Sequence, residues 1–233
     1  MPNRRLMRIH VEALFAHDDR GRMVRVNEPE HREAPRFFLG RTSDGNVWSF
    51  RHDVPDEVRL ELESACLAEP PGEEFLLPPY GATRYEQILA RSGPIQRTSA
   101  GPAYWIPDDL PESPDTVQVT EDNSGLLRPH LEDWLPDVAA RRPFVACAVL
   151  IDGRAVSICC SVRTTGAAHE AGVETAPGFR ARGCAMRAVA AWARTVRAMG
   201  AMPLYSTSWQ NVASQALARK LGLRRYGADL HIT

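Results

Sequence analysis

Features that mark specialised classes of protein are scarce in this sequence. Its apolar runs fall well short of the ~18–20 residues that span a bilayer, and its charged first residues have no apolar segment after them. We therefore expect no membrane helix, no signal peptide and a cytoplasmic location. The cysteines are few and odd in number, and no spacing resembles a zinc site, so we predict buried thiols and no metal (Cys66, Cys147, Cys159, Cys160 and Cys184).

An excess of charge of one sign is also lacking. The 28 basic and 29 acidic residues give a formal net charge of −1, which offers no general attraction to nucleic acid or to an anionic membrane surface. Lysine is nearly absent, since Lys220 is the only one, and the arginines are spread along the whole chain. Genome composition explains that spread better than phosphate recognition does. The 44 % apolar content is ample for a core.

The most informative segment is 172–185, GVETAPGFRARGCA. It predicts a strand, a tight loop and the first turn of a helix that runs to about Met199. Unpaired N–H groups and the helix dipole make such a loop a receptor for pyrophosphate. Arg180, Gly183 and Ala185 follow the spacing R-x-x-G-x-A, in which small residues allow phosphate to approach the backbone and the helix to pack on the sheet.

The order of elements after this loop points to a known family. A strand over 202–208, a helix headed by Asn211 and stopped by Gly222, and a closing strand over 223–233 follow the first helix. Together, RARGCA (180–185) and NVASQALARKLGL (211–223) resemble the loop and the Asn-headed helix of the GNAT superfamily of N-acyltransferases. The resemblance covers residues 144–233, and we find none in residues 1–114.

The resemblance implies a fold and a co-substrate, acetyl-coenzyme A. The fold is of the α/β (α+β) class, a mixed, mostly antiparallel central sheet with flanking helices. In that family the pantetheine arm lies between two parallel strands that part before the loop, here 168–175 and 202–208. The cofactor-binding residues implied are the strand positions Val173 and Thr175, the loop positions Arg180, Ala181, Arg182, Gly183, Cys184 and Ala185, and Asn211 and Ser214 of the last helix.

Acetyl transfer to an amine is helped by a base that takes the ammonium proton. We predict Glu174 and Glu170 for this role, with His169 on the opposite strand face unless a bulge intervenes. For Glu174 two interpretations stay open: desolvation strengthens it as a base, or a salt bridge with Arg180 weakens it. Glu170 can equally bind a cationic substrate by charge alone.

The family's usual general acid is missing. Many members have a tyrosine in the Asn-headed helix that protonates the departing thiolate, and Ala218 stands at that position here. Tyr205 and Tyr226 are the substitutes, and we assign the role to Tyr226. No Cys or Ser stands in a nucleophile constellation, and Cys184 is a poor acyl carrier, so we expect direct attack by the amine.

The chain divides, on sequence grounds, into three parts. We predict a small α+β unit over 1–70, compatible with a degenerate half-copy of the acyltransferase fold, and a catalytic domain over 117–233. Nine prolines within 69–116 predict a linker over 71–116. The predicted elements are helices over 4–16, 55–67 and 83–91, a helix that begins at Ser124, and strand pairs over 36–41 with 46–51 and over 144–150 with 155–162.

We therefore predict an N-acetyltransferase that moves an acetyl group from acetyl-CoA to a primary amine of a small metabolite or amino-acid-like acceptor. We expect no nucleic-acid or membrane partner, and a homodimer through exposed strand edges is compatible with the fold. Two alternatives stay open. A CoA-binding sensor that has lost catalysis is favoured by Ala218, whereas the near-zero net charge speaks against an aminoacyl-tRNA-dependent transferase.

Overall fold

The computed structural model describes residues 1–112, 114–140 and 145–233. They form two compact units. The first comprises Met1–Trp105, Ser206–Val212 and Arg224–Thr233, and the second comprises Ile106–Tyr205 and Ala213–Leu223. The fold class is the one predicted, mixed α/β with mostly antiparallel strand pairs. Among the described residues, no helix has both the length and the apolar character needed to cross a bilayer.

The first unit contains an antiparallel sheet and a separate two-stranded ribbon. Its elements are α1 (Asn3–Leu14), β1 (Phe15–His17), β2 (Met23–Val26), β3 (Phe37–Arg41), β4 (Val47–Phe50), α2 (Asp56–Leu67), α3 (Ala82–Ala90), β5 (Thr98–Trp105) and β11 (Arg224–Ile232). The strand order is β4-β3-β11-β5, and β1 pairs with β2. The helices α2 and α3 bury an apolar cluster against the sheet that includes Phe37, Leu62 and Tyr85.

The first unit departs from the predicted division of the chain. The span 71–116, predicted to be a linker, contains α3 and β5, and β11 of the predicted catalytic domain pairs with β5. Pro102 lies within β5, which is why proline density concealed the strand. The carbonyl of Pro102 accepts from the N–H of Thr207, so its missing N–H faces away from β11 and the ladder with β11 is unaffected.

The second unit contains the five-stranded sheet that carries the predicted site. Its elements are β6 (Thr116–Gln118), 3-10 helices at Ser124–Leu127, Glu132–Trp134 and Pro177–Phe179, α4 (Leu135–Ala140), β7 (Ala146–Ile151), β8 (Arg154–Thr164), β9 (Ala168–Thr175), α5 (Cys184–Ala198), β10 (Met202–Ser206) and α6 (Val212–Lys220). The strand order is β10-β9-β8-β7-β6, and only β10 and β9 run parallel. Asp152 and Gly153, both at positive φ, form the predicted β7–β8 turn.

Two layers cover this sheet. On one face α5 packs, with Trp192 and Thr195 hydrogen-bonded to side chains of β8 and β7. On the other face, residues of 124–140 bury an apolar cluster. The single helix predicted from Ser124 is instead two 3-10 turns followed by α4, because Pro129 cannot continue a helix. Leu127 and Leu131 are nevertheless buried as its periodicity requires.

Arginines of α5 hold the segment 106–115 in place. Arg187 pairs with Asp115, Arg194 donates to the carbonyl of Pro111 at 2.8 Å, and Arg197 pairs with Asp108 at 2.7 Å. The end of the proline-rich span is therefore packed on the second unit.

Candidate active site

The two parallel strands of the second unit part at a defined point. Their pairing covers only three positions, and the last of them joins Leu204 to Glu170. Beyond it β9 continues to Thr175, whereas the chain after Tyr205 enters the first unit, where Thr207 donates to a carbonyl of β5. Over its last five residues, β9 therefore has no parallel pairing with β10.

Main-chain groups of β9 point outward along the edge that is no longer paired with β10. The N–H of Ala176 donates to the carbonyl of Val156, which makes these two residues a hydrogen-bonded pair of the β8–β9 ladder. Since such pairs alternate in an antiparallel ladder, the N–H and C=O groups of Val173 and Thr175 point away from β8. They face the side that β10 has left, as contact with pantetheine amides requires.

The loop after β9 ends in an open helix start. Ala181 and Gly183 have positive φ values of 61° and 77°, and a Cβ added at Gly183 would meet nothing within 4 Å. The first intrahelical bond of α5 runs from the N–H of Arg187 to the carbonyl of Gly183. The amides of Cys184 and Ala185 precede that bond, and no side chain caps the helix. This arrangement is a ready-made site for an anion.

The two loop arginines are exposed, but both are already oriented. Arg180 donates from Nε to the carbonyl of Thr175 at 3.2 Å, and the guanidinium of Arg182 lies 5.5 Å from the centre of the Phe179 ring. Cys184 is buried beneath the loop, and burial raises the pKa of its thiol. Its side chain therefore belongs to the core, which agrees with its poor suitability as an acyl carrier.

The predicted residues of the last helix and of the closing strand are divided between the units. Ser214 lies in the first turn of α6, and its Oγ is 2.6 Å from the hydroxyl of Tyr205, the first residue of β10 past the paired positions. Asn211 lies exposed just before α6 in the first unit. Tyr226 lies on β11 in the same unit, buried with its ring edge against His10.

The expectation that Glu174 is desolvated is wrong. Its side chain is exposed, and Oε2 accepts a hydrogen bond of 2.6 Å from the indole Nε1 of Trp134. The alternative, a salt bridge with Arg180, is not what holds it either, since Arg180 bonds to a main-chain carbonyl. Sequence reasoning missed Trp134 because it precedes Glu174 by 40 residues, and no local pattern indicates which strand it packs against.

Glu170 and His169 lie on opposite faces of β9, as strand alternation predicts. The bulge that would have reversed this lies at Val162 of β8, so β9 itself stays regular. Glu170 shares the face of Glu174 and is 1 % exposed. His169 instead faces α5, where its Nδ1 is 2.8 Å from the hydroxyl of Ser161. Its position is that of a core residue, so its role is structural.

Ser161 links His169 to α5. The indole N–H of Trp192 donates to Oγ of Ser161 at 2.9 Å, which leaves the hydroxyl proton for Nδ1 of His169. Burial lowers the pKa of the imidazole. His169 is therefore neutral in the folded protein near pH 7.

This burial predicts an acid-sensitive stability. As pH falls through the unfolded value of 6.5, the unfolded chain takes up a proton at His169 and the folded chain does not. The stability that this group contributes is thus present above pH 6.5 and lost as pH falls below it. Urea denaturation of the parent and of His169→Gln across this range tests it. The free energy of unfolding should fall less steeply for the variant, and parallel slopes would contradict the prediction.

Comparison with known proteins agrees with this geometry. Residues 141–228 match the model of a family described as GNAT acetyltransferase. This part of the chain is similar to GNAT acetyltransferases, which supports the predicted type of enzyme, a GNAT-type N-acetyltransferase. No curated protein sequence matches the chain significantly.

Solved structures are similar to this chain at low identity, and two of them reach a TM-score of 0.51 over most of its length. An acetyltransferase of the GNAT family from Colwellia psychrerythraea is 14 % identical, with a TM-score of 0.51 over 87 % of this chain and 82 % of that one. A conserved protein of unknown function from Staphylococcus epidermidis is 12 % identical, with a TM-score of 0.51 over 97 % and 96 %. A GNAT-family protein from Novosphingobium aromaticivorans is 19 % identical over 59 % of this chain and 65 % of its own, with a TM-score of 0.47.

In the described residues, no three His, Cys, Asp or Glu side chains are grouped to hold a metal ion. The polar groups of the predicted site are instead main-chain amides, carboxylates and hydroxyls. That set suits an anion at the loop and an amine at the strand face.

Proposed function

We propose that this protein transfers an acetyl group from acetyl-CoA to a primary amine of a small acceptor by direct attack. One observation carries the proposal. Main-chain groups of Val173 and Thr175 point away from β8 at the edge of β9 that is no longer paired with β10, and β9 is followed by the loop that ends at the open start of α5 at Gly183. A linear arm that bears amides and ends in a pyrophosphate matches both the strand edge and the helix start.

The residues present fit coenzyme A. The N–H and C=O groups of Val173 and the N–H of Thr175, whose carbonyl already accepts from Arg180, would pair with the two pantetheine amides, and the amides of Gly183, Cys184 and Ala185 would hold the pyrophosphate. Exposed Arg180, Ala181 and Arg182 of the same loop, with Ser214 of the last helix, complete the proposed contacts. Bound acetyl-CoA supplies the activated thioester.

Glu170 is better placed than Glu174 to take the proton of the acceptor. The two carboxylates lie four residues apart on one face, which separates their backbone positions by about 13 Å along the strand. Glu170 stands at the last paired position, where the strands part, and Glu174 stands next to the phosphate loop. Because the thioester end of the arm lies furthest from the pyrophosphate, we assign the base to Glu170.

We assign protonation of the thiolate to Tyr205 rather than to Tyr226. Tyr205 is the first residue of β10 past its pairing with β9, and its hydroxyl contacts Ser214. Tyr205→Phe should therefore lower kcat by about tenfold or more with little change in KM for acetyl-CoA. Steady-state kinetics of Tyr205→Phe and Tyr226→Phe compare the two, and a larger loss in Tyr226→Phe would return the role to Tyr226.

Calorimetric titration with acetyl-CoA and with free CoA tests the proposed donor site, and CoA thiol release over a panel of amines tests turnover. Micromolar binding with turnover would support the transferase. Binding without turnover on any amine would favour the sensor, an alternative that the alanine at 218 motivates. Absence of binding to either ligand would contradict both.

A further inference from the structure

Trp134 lies fixed across the face of β9 that carries the two glutamates. Its Nε1 donates to Oε2 of Glu174 at 2.6 Å. At the other end of the ring, Cη2 would lie 3.5 Å from a Cβ added at Gly172, and that Cβ would also come within 2.3 Å of Val162. The indole therefore lies along the strand between Glu174 and Gly172.

The surroundings of the indole are acidic. Trp134 is partly exposed, and exposed Glu174, Glu132 and Asp133 lie beside it in space or in the chain. Arg128 pairs with Glu132 at 3.3 Å. The cation–π contacts among the described residues involve the rings of Phe75, Phe179 and Trp105, so none of them covers Trp134. A negative ring face beside carboxylates attracts a cation.

We propose that Trp134 and Glu174 form a subsite for a second positive charge on the acceptor, which makes the acceptor a linear diamine or polyamine. This inference rests on the proposed function. One nitrogen stays protonated against the indole face and the carboxylate of Glu174. The other reaches Glu170, about 13 Å along the strand, so a long spacer between the nitrogens is required.

The acetyl transfer then proceeds by direct attack of the acceptor amine on the thioester. The amine near Glu170 loses its proton to that carboxylate, and its lone pair attacks the thioester carbonyl. A C–N bond forms, the C–S bond breaks, and the thiolate of CoA takes a proton from Tyr205. The second proton that the acceptor nitrogen loses as it becomes an amide restores the hydroxyl of Tyr205. The ammonium held at Trp134 and Glu174 keeps its proton throughout.

The test uses two acceptors of equal length, 1,8-diaminooctane and octylamine, with the full-length protein and acetyl-CoA. They differ only in the second amine. We expect kcat/KM for the diamine to exceed that for octylamine by about tenfold. Glu174→Gln and Trp134→Leu should each remove most of this preference by raising KM for the diamine, with octylamine unchanged within about twofold. Trp134→Phe keeps a ring and should retain part of the preference.

Several outcomes would overturn the subsite. Equal kcat/KM for the two acceptors would do so, and so would equal losses on both acceptors in Glu174→Gln. Should neither acceptor turn over although CoA binds, the proposed function fails separately, and calorimetry of each amine with the CoA-loaded protein decides the subsite. Diamine binding that Glu174→Gln weakens would support it, and absence of diamine binding would contradict it. Thermal unfolding of each variant shows whether the fold is retained.

Discussion

Gly183→Asp should weaken coenzyme A binding by about 2–4 kcal/mol, or some 30- to 1000-fold in Kd, because a carboxylate would stand against the pyrophosphate. The fold should survive the change. A Cβ at this position meets nothing within 4 Å, although the φ of +77° is strained for a side chain. An acidic group at the start of α5 is also favourable to the helix dipole. Calorimetric titration with CoA measures the loss.

Gly183→Asn is the matched control. Asparagine has the size of aspartate and tolerates positive φ, but it carries no charge. We expect it to lose less than about tenfold in affinity, so the difference between the two variants isolates the charge. Acetyl-pantetheine, which lacks the pyrophosphate, should serve the parent and the Asp variant equally as a donor. Equal losses in Asp and Asn would point to backbone strain, and unchanged affinity in both would refute the phosphate site.

Local patterns predicted much of the second unit. The apolar stripe of α5, Gly200 and Gly222 at helix ends with positive φ, and the Asp152–Gly153 turn are signals that lie within a few residues of the structure they specify. The loop at 180–185 belongs to the same class. The backbone conformation of this loop depends on its own glycine and on the helix that begins there. The position of the loop could therefore be predicted from the sequence.

What the sequence did not predict depends on partners far along the chain. The environment of Glu174 depends on its hydrogen bond with Trp134. The strand β5 depends on its pairing with β11, which lies at the end of the sequence. Pro102 concealed the strand, and the 40 residues between Trp134 and Glu174 concealed their contact. The outward direction of the Val173 and Thr175 main chain likewise depends on the register with β8, which a single bulge can shift.

Register also decides which glutamate serves the chemistry. From the sequence, Glu170 and Glu174 are equivalent acidic residues on one strand face. In the structure the first is buried beside the point where β9 and β10 part, and the second is exposed and hydrogen-bonded to Trp134. The distinction rests on where the parallel pairing stops, a property of two strands and not of either alone.

Glu170→Gln should lower kcat by about 10²- to 10⁴-fold, because an amide cannot take the proton of the attacking ammonium. The Kd for acetyl-CoA should stay within a few-fold, since the donor site is built from main-chain groups further along β9. The substitution preserves volume at a buried position, and thermal unfolding checks that the fold is kept. Glu174→Gln makes the same change on the same face and should leave kcat on octylamine almost unaltered.

The pH dependence separates a base from a structural carboxylate at position 170. The loss of kcat/KM in Glu170→Gln should depend on pH if the carboxylate accepts the proton of the acceptor. The loss of kcat/KM in Glu170→Gln relative to the parent should shrink as pH rises. At higher pH a growing fraction of the acceptor is already neutral and needs no base. A deficit that stays constant with pH would show that Glu170 shapes the site without accepting the proton. A larger loss in Glu174→Gln would place the base beside Trp134 and remove the division of roles on which the diamine subsite rests.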